Sequence, residues 1–153
     1  MGPGFWQTLG SLPMVTFHAT IQSDLTEFRG LTPRILAFLR EGNVPPRAAY
    51  VARMAVEELV VNVIRYAFDR ADSTNTIDVD IRTSPGHVVV RVEDAGRPFD
   101  PRTAPSPRLG ASLADRTVGG WGIHLVRSMS DELSYERRGG RNIVEVRVSL
   151  DPS

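Results

Sequence analysis

The sequence predicts an α+β fold, a two-layer α/β sandwich with helices on one face of a mixed, largely antiparallel sheet. Three observations predict it. Residues 76–83 and 87–93 alternate apolar and polar side chains on either side of a Ser84-Pro85-Gly86 turn, the pattern of a half-buried hairpin. Residues 23–40 and 46–68 instead place apolar side chains at three- and four-residue spacings, which marks amphipathic helices. Their order is strand, helix, helix, strand, strand, long loop, helix, strand, strand. That order segregates helices from strands and lacks the regular alternation of a doubly wound sheet.

Each element has a local cause. Residues 1–12 are rich in Gly, Pro and Ser and read as an N-terminal extension, leaving 13–150 as one domain. Residues 14–20 put Val15, Phe17 and Ala19 on one face of a strand. The first helix takes Ser23 as its expected N-cap and Gly42-Asn43 as its stop, and Gly30 and Pro33 predict a kink or a division into two short helices. Pro45-Pro46 opens the second helix, because a first turn tolerates proline. Val51, Ala55, Leu59, Val63 and Ala67 form its apolar stripe. Residues 100–121 show little periodicity and contain Pro101, Pro105 and Pro107; a loop this long in a compact domain is functional or disordered. A third helix covers residues 122–129, with Ile123, Val126 and Met129 inward. Residues 132–137 and 142–150 close the chain as a hairpin around Gly139-Gly140.

Composition removes several function classes. The 153 residues carry 18 basic and 18 acidic side chains, so no net field draws the chain to nucleic acid or anionic lipid. With no cysteine there is no disulfide, thiolate nucleophile or zinc–cysteine site. There is no apolar run of membrane-spanning length and no basic-then-apolar leader, which makes the cytoplasm the expected compartment. All the basic residues are arginine. A Walker-A loop and a eukaryotic-type kinase site both need a lysine on the phosphates, so neither is present. His18, His87 and His124 share no metal-ligand spacing, and no serine has an adjacent base.

Three segments carry the chemistry. Glu58 and Asn62 stand four residues apart and share a helix face. Glu57 points roughly 140° away from Asn62 at 3.6 residues per turn, which favours Glu58 as the partner. Most Glu/Asn pairs at this spacing form a solvated face; here Leu59, Val60, Val61, Val63 and Ile64 leave little room for one. An asparagine oxygen suits one ligand position of Mg²⁺, and a glutamate one turn earlier can accept a proton. Asp94-Ala95-Gly96 ends a strand. It is an ordinary turn by itself, yet its carboxylate suits an exocyclic amine and its glycine lets a flat base approach the backbone. Gly119-Gly120-Trp121-Gly122 opens a helix, whose free amides and positive dipole end favour phosphate, although glycines alone also make a plain flexible connector. Arg116 lies three residues upstream, within possible reach of a γ-phosphate or simply in solvent.

In this order the three segments resemble the GHKL (Bergerat-fold) ATP-binding superfamily, and within it the anti-sigma-factor serine/threonine kinases of bacteria. Residues 55–68 look like its N-box, 93–100 like the first glycine box, 119–135 like the second and 139–146 like its closing strand. The resemblance implies ATP and Mg²⁺ as cofactors, Asn62 as metal ligand and Glu58 as general base. It also implies Asp94 on the adenine amine, Gly96 beneath the base, and Gly120 and Gly122 at a lid hinge. Tyr66, Phe99, Arg116, Gly119 and Asn142 complete the implied nucleotide site. Tyr66 stands where many members have histidine, and Asn142 where relatives among histidine kinases often have threonine.

The resemblance further implies a serine protein kinase that phosphorylates a STAS-domain anti-anti-sigma protein and sequesters a sigma factor. A PP2C-type phosphatase reversing the modification and a homodimer belong to the same expectation; direct nucleic-acid or membrane binding does not. Two alternatives stay open at this point. One is an ATP-binding switch without kinase activity. The other is a detached histidine-kinase catalytic module, since the chain carries no phosphoacceptor helix domain.

Overall fold

A computed structural model describes residues 14–69, 72, 74–105 and 120–151. Among them, β1 (Val15–Gln22) leads to α1 (Leu25–Glu41) and α2 (Pro46–Tyr66), followed by β2 (Thr76–Ser84) and β3 (His87–Asp94). A short 3-10 turn at Pro101–Thr103 precedes α3 (Gly120–Met129), β4 (Glu132–Arg138) and β5 (Arg141–Ser149). The element order is the expected one. The sheet runs β1-β2-β3-β5-β4, and every described pairing is antiparallel, so the expected mixed sheet is corrected to a wholly antiparallel one among the described residues.

Two local expectations also change. Asp24, not Ser23, caps α1: its Oδ1 accepts from the Thr26 amide at 2.8 Å and the Glu27 amide at 3.1 Å. The Ser23 amide instead bonds the Asn75 carbonyl at 2.8 Å. Nor does Pro33 divide α1, which continues through it to the Gly42 cap. Arg29, Gly30 and Pro33 are all exposed, so the carbonyl deprived of its donor by proline stays on the wet side of the helix. The opposite side buries Phe28, Leu31, Ile35 and Leu39 against the sheet, about 1.5–3 kcal/mol for each large side chain.

The strand register explains where the site lies. On the helix-facing side of the sheet, cross-strand rows are apolar: Phe17, Ile81, Val90, Val146 and Leu133 form one, and Ala19, Val79, Val92, Val144 and Tyr135 the next. The row after that begins with Ile21 and Ile77 but continues with Asp94, Asn142 and Arg137. The core therefore turns polar at one end, beneath the C-terminal half of α2. The opposite face of the sheet is charged, with Arg141 paired to Asp78 at 2.9 Å and to Glu93 at 2.6 Å.

Candidate functional site

Helix α2 supplies one wall. Its buried residues Val51, Ala55, Leu59 and Val63 fix its rotation on the sheet. That rotation leaves Glu58, Asn62 and Tyr66, spaced i, i+4 and i+8, along the flank facing the polar end of the sheet. A cavity of about 210 Å³ opens there. Aliphatic side chains of Leu59, Val63, Val92 and Val144 line it together with Asn62, Tyr66, Asp94, Phe99 and Asn142. Five expected site residues from three separated segments thus share one hollow. A larger hollow of about 570 Å³, between α1 and the start of α2, contains none of them.

Asp94 is 4% exposed and fully engaged on one side. Its Oδ1 accepts from the Gly96 amide at 2.8 Å and from Asn142 Nδ2 at 3.1 Å. Burial raises its pKa; the Gly96 and Asn142 hydrogen bonds and the charges of Arg137 and Arg141 pull it back only in part. Gly96 is required by space. A Cβ there would collide with the Ala67 methyl and lie 2.6 Å from the Ala67 carbonyl oxygen. The next amide, Arg97, donates to that same carbonyl at 2.9 Å, tying the turn to the end of α2.

Asn142 is buried at the centre of this end. Its Nδ2 donates to Asp94 and, at 2.7 Å, to the Arg97 carbonyl. Its Oδ1 accepts from the Tyr135 hydroxyl at 2.7 Å, Arg137 at 2.9 Å and the Phe99 amide at 3.4 Å. Both ends of the amide are occupied, so within the expected site Asn142 positions Asp94 and the turn rather than offering free polar atoms. Tyr135 and Arg137 were not expected from the sequence. The Gly139-Gly140 hairpin held the clue: a two-residue turn with φ of 59° and 76° pairs Arg138 with Arg141 and Arg137 with Asn142.

The other end is built from α2 and α3. Gly120 begins α3, and Gly122 packs directly on Glu58: a Cβ there would fall within the Glu58 carboxylate. Glu58 is half-buried, and its pKa is raised from the ordinary 4.5 by burial first and the neighbouring Glu57 charge second, against a smaller pull from Arg65. A carboxylate beside the first turn of a helix also meets the positive end of its dipole. Arg116 and Gly119 lie outside the described residues.

The donor set fits the expected magnesium nucleotide. The Asn62 amide lines the cavity without a hydrogen bond to any described residue, which leaves its oxygen available. No three His, Asp or Glu side chains converge among the described residues, so a cation held by Asn62 would have to draw its other ligands from phosphate and water. At the far end, the cradle that excludes a Cβ at Gly96 adjoins an acceptor and four aliphatic walls, a suitable seat for a flat amine-bearing ring. No described helix is long and apolar enough to cross a membrane.

Comparison with known proteins bears on the family and the fold. Residues 21–148 match the family described as the histidine kinase-like ATPase domain. The serine/threonine-protein kinase BtrW of Bordetella bronchiseptica is 32% identical over 96 residues, covering 63% of this chain and 67% of BtrW. The serine-protein kinase RsbW of Staphylococcus aureus is 26% identical over 97 residues, 60% of each chain. Among solved structures, the RsbU and RsbW domains of a Mycobacterium tuberculosis protein match with a TM-score of 0.64 at 16% identity. That match covers 89% of this chain but 32% of the mycobacterial one, and it bears on the fold alone.

Proposed function

The chain belongs to the histidine kinase-like ATPase domain family, and from that premise we propose that it is an ATP-dependent serine protein kinase acting as an anti-sigma factor. The reading assigns residues 13–150 to one ATP-binding unit, with 1–12 as an extension. The observation that carries it is the convergence of Asn62, Tyr66, Asp94, Phe99 and Asn142 on one cavity, with Glu58 one helical turn before Asn62. The relatives named as serine kinases support the phosphoryl-transfer step.

In this reading the aliphatic walls and the Gly96 cradle would hold the adenine, and Asp94 would accept its amine. The Asn62 oxygen would hold Mg²⁺, which neutralises phosphate charge when bound. The serine hydroxyl of a partner protein attacks the γ-phosphorus, and a new O–P bond forms as the bond to the ADP oxygen breaks. Glu58 takes the hydroxyl proton. Burial and the Glu57 charge keep its carboxylate more basic than an exposed glutamate. Amides at the start of α3, around Gly120 and Gly122, face the developing charge. Arg116 and Gly119 join this end as proposed phosphate contacts.

The proposed phosphoacceptor is a STAS-domain anti-anti-sigma protein, with a sigma factor as the alternative partner and a PP2C-type phosphatase restoring the acceptor. A homodimer in the cytoplasm completes the proposal. Incubation with labelled Mg-ATP and a STAS protein tests it: acid-stable phosphoserine is expected, and transfer is expected to fail with Glu58→Ala. Nucleotide uptake without transfer would make the chain a binding switch. Acid-labile phosphohistidine would make it a histidine-kinase module.

A further inference from the structure

The base end of the cavity is held from behind by a side chain that never lines it. Arg137 sits on the edge strand β4, in the cross-strand row of Asp94 and Asn142. One of its nitrogens, Nη1, donates to the Gly96 carbonyl at 3.0 Å and to Asn142 Oδ1 at 2.9 Å. Asn142 in turn holds Asp94 Oδ1 and the Arg97 carbonyl. Between them, Arg137 and Asn142 engage the Asp94 carboxylate and the carbonyls of Gly96 and Arg97.

The chemistry of the three donors around Asn142 Oδ1 distinguishes Arg137 from the others. The Tyr135 hydroxyl donates or accepts as required, so it would accommodate a flipped amide equally well. The Phe99 amide can only donate, but at 3.4 Å it makes a weak bond. A guanidinium only donates, carries full charge and makes the stronger class of hydrogen bond. On the other side of the amide, the Arg97 carbonyl only accepts. Arg137 and Arg97 therefore set the orientation of Asn142 from opposite sides, and that orientation turns Nδ2 towards Asp94.

We propose that Arg137 is a positioning residue for base selection: through Asn142 and the Gly96 carbonyl it holds the Asp94 acceptor in place against a 6-aminopurine. A 6-oxopurine presents an acceptor at the same position and meets the held carboxylate oxygen with repulsion. Selectivity of this kind depends on an acceptor that cannot move away. The inference rests on the nucleotide-binding reading above, and it assigns to a residue outside the cavity the task of making that binding selective.

Calorimetry with Mg-ATP and Mg-ITP on the full chain tests it, because the two differ at the 6-position of the base. The wild-type chain is expected to favour ATP, and Arg137→Met to reduce the ATP/ITP affinity ratio about tenfold, the scale of one charge-assisted hydrogen bond. Arg137→Lys, which keeps a charged donor, is expected to retain most of the ratio. Should Arg137→Met fail to fold, Arg137→Gln carries the same readout with an intermediate loss. A purely structural role would weaken ATP and ITP by the same factor, and an unchanged ratio overturns the proposal. A wild-type chain that binds both nucleotides equally overturns it while leaving the nucleotide reading intact. Binding of neither overturns both.

Discussion

At the base end of the cavity, Asp94, Gly96 and Arg97 are each tied by hydrogen bonds to Asn142, Arg137 or Ala67. At the α2–α3 end, the side chains of Glu58 and Asn62 make no hydrogen bond to any described residue and are placed by the packing of their helix. The difference is one of preorganisation. Recognition of a ring gains from groups fixed before it arrives, because little order has to be imposed on binding. In the proposed function, Glu58 and Asn62 would be completed by the cation, phosphate chain and moving proton they meet. Substitutions at the two ends should therefore be read by different measurements: affinity, selectivity and stability at the first, rate and metal dependence at the second.

The largest effect is expected at the second end. Glu58→Gln keeps the shape beside Gly122 and removes the base, so single-turnover transfer from labelled ATP should slow about 10²–10⁴-fold. Nucleotide affinity and melting temperature should barely change; a large loss of stability would show that Glu58 is structural and break the comparison. Next, Asn62→Ala should weaken Mg-dependent ATP binding by at least the roughly 10–100-fold that loss of an outer-shell partner costs a metal site. Titration with and without magnesium measures it, and an equal loss in both would remove Asn62 from the cation.

Smaller effects follow at the base end. Gly96→Ala forces a methyl group against Ala67, and overpacking of this kind costs about 1–3 kcal/mol. For a chain of this length, thermal unfolding should fall about 2–4 °C for each of those. The subtlest effect is that of pH on Asp94, whose pKa is raised above 3.8 chiefly by burial. The folded chain then keeps this proton to higher pH than the unfolded chain does. Its contribution to stability is complete below 3.8 and is lost as pH rises through the folded value. Nucleotide affinity runs the opposite way, since the ionised form is the better acceptor for an amine. Melting scans from about pH 4 to 7, with and without ATP, should show a ligand-induced shift that grows with pH. Asp94→Asn should flatten that growth, and a flat wild-type profile would remove the Asp94 charge from recognition.

Local pattern explains why most of the architecture could be read from the sequence. The alternation in β2 and β3 appears as buried Val79 and Ile81 opposite Val92 and Val90, and the stripe of α2 as its buried face. Pro33 does not divide α1 because a proline breaks a helix only where the lost bond is not compensated, and exposure of Arg29 and Pro33 lets water compensate it. Asp24 and Ser23 are both good caps, and the cap went to Asp24, the residue directly after the one whose own amide bonds the Asn75 carbonyl. The shared face of Glu58 and Asn62 was legible because a helix brings i and i+4 together by itself, whereas Tyr66 came only from the family resemblance. The Arg137–Asn142–Asp94 row was not, because it is set by pairings across three strands, and residues 94 and 142 are 48 apart. Only the Gly139-Gly140 turn announced one of those pairings locally.

That row also has a consequence for synthesis. Asp94 emerges from the ribosome well before β4 and β5, and until the closing hairpin is translated its carboxyl lacks both Asn142 and the charge of Arg137. Long-range strand pairing of this kind forms late because chain entropy must be spent before the contacts exist. A nascent chain stalled before residue 142 would carry the helix that bears Glu58 and Asn62 yet have no finished seat for a base. Nucleotide in the surrounding medium then rewards only completed molecules and gives no shelter to partly made ones.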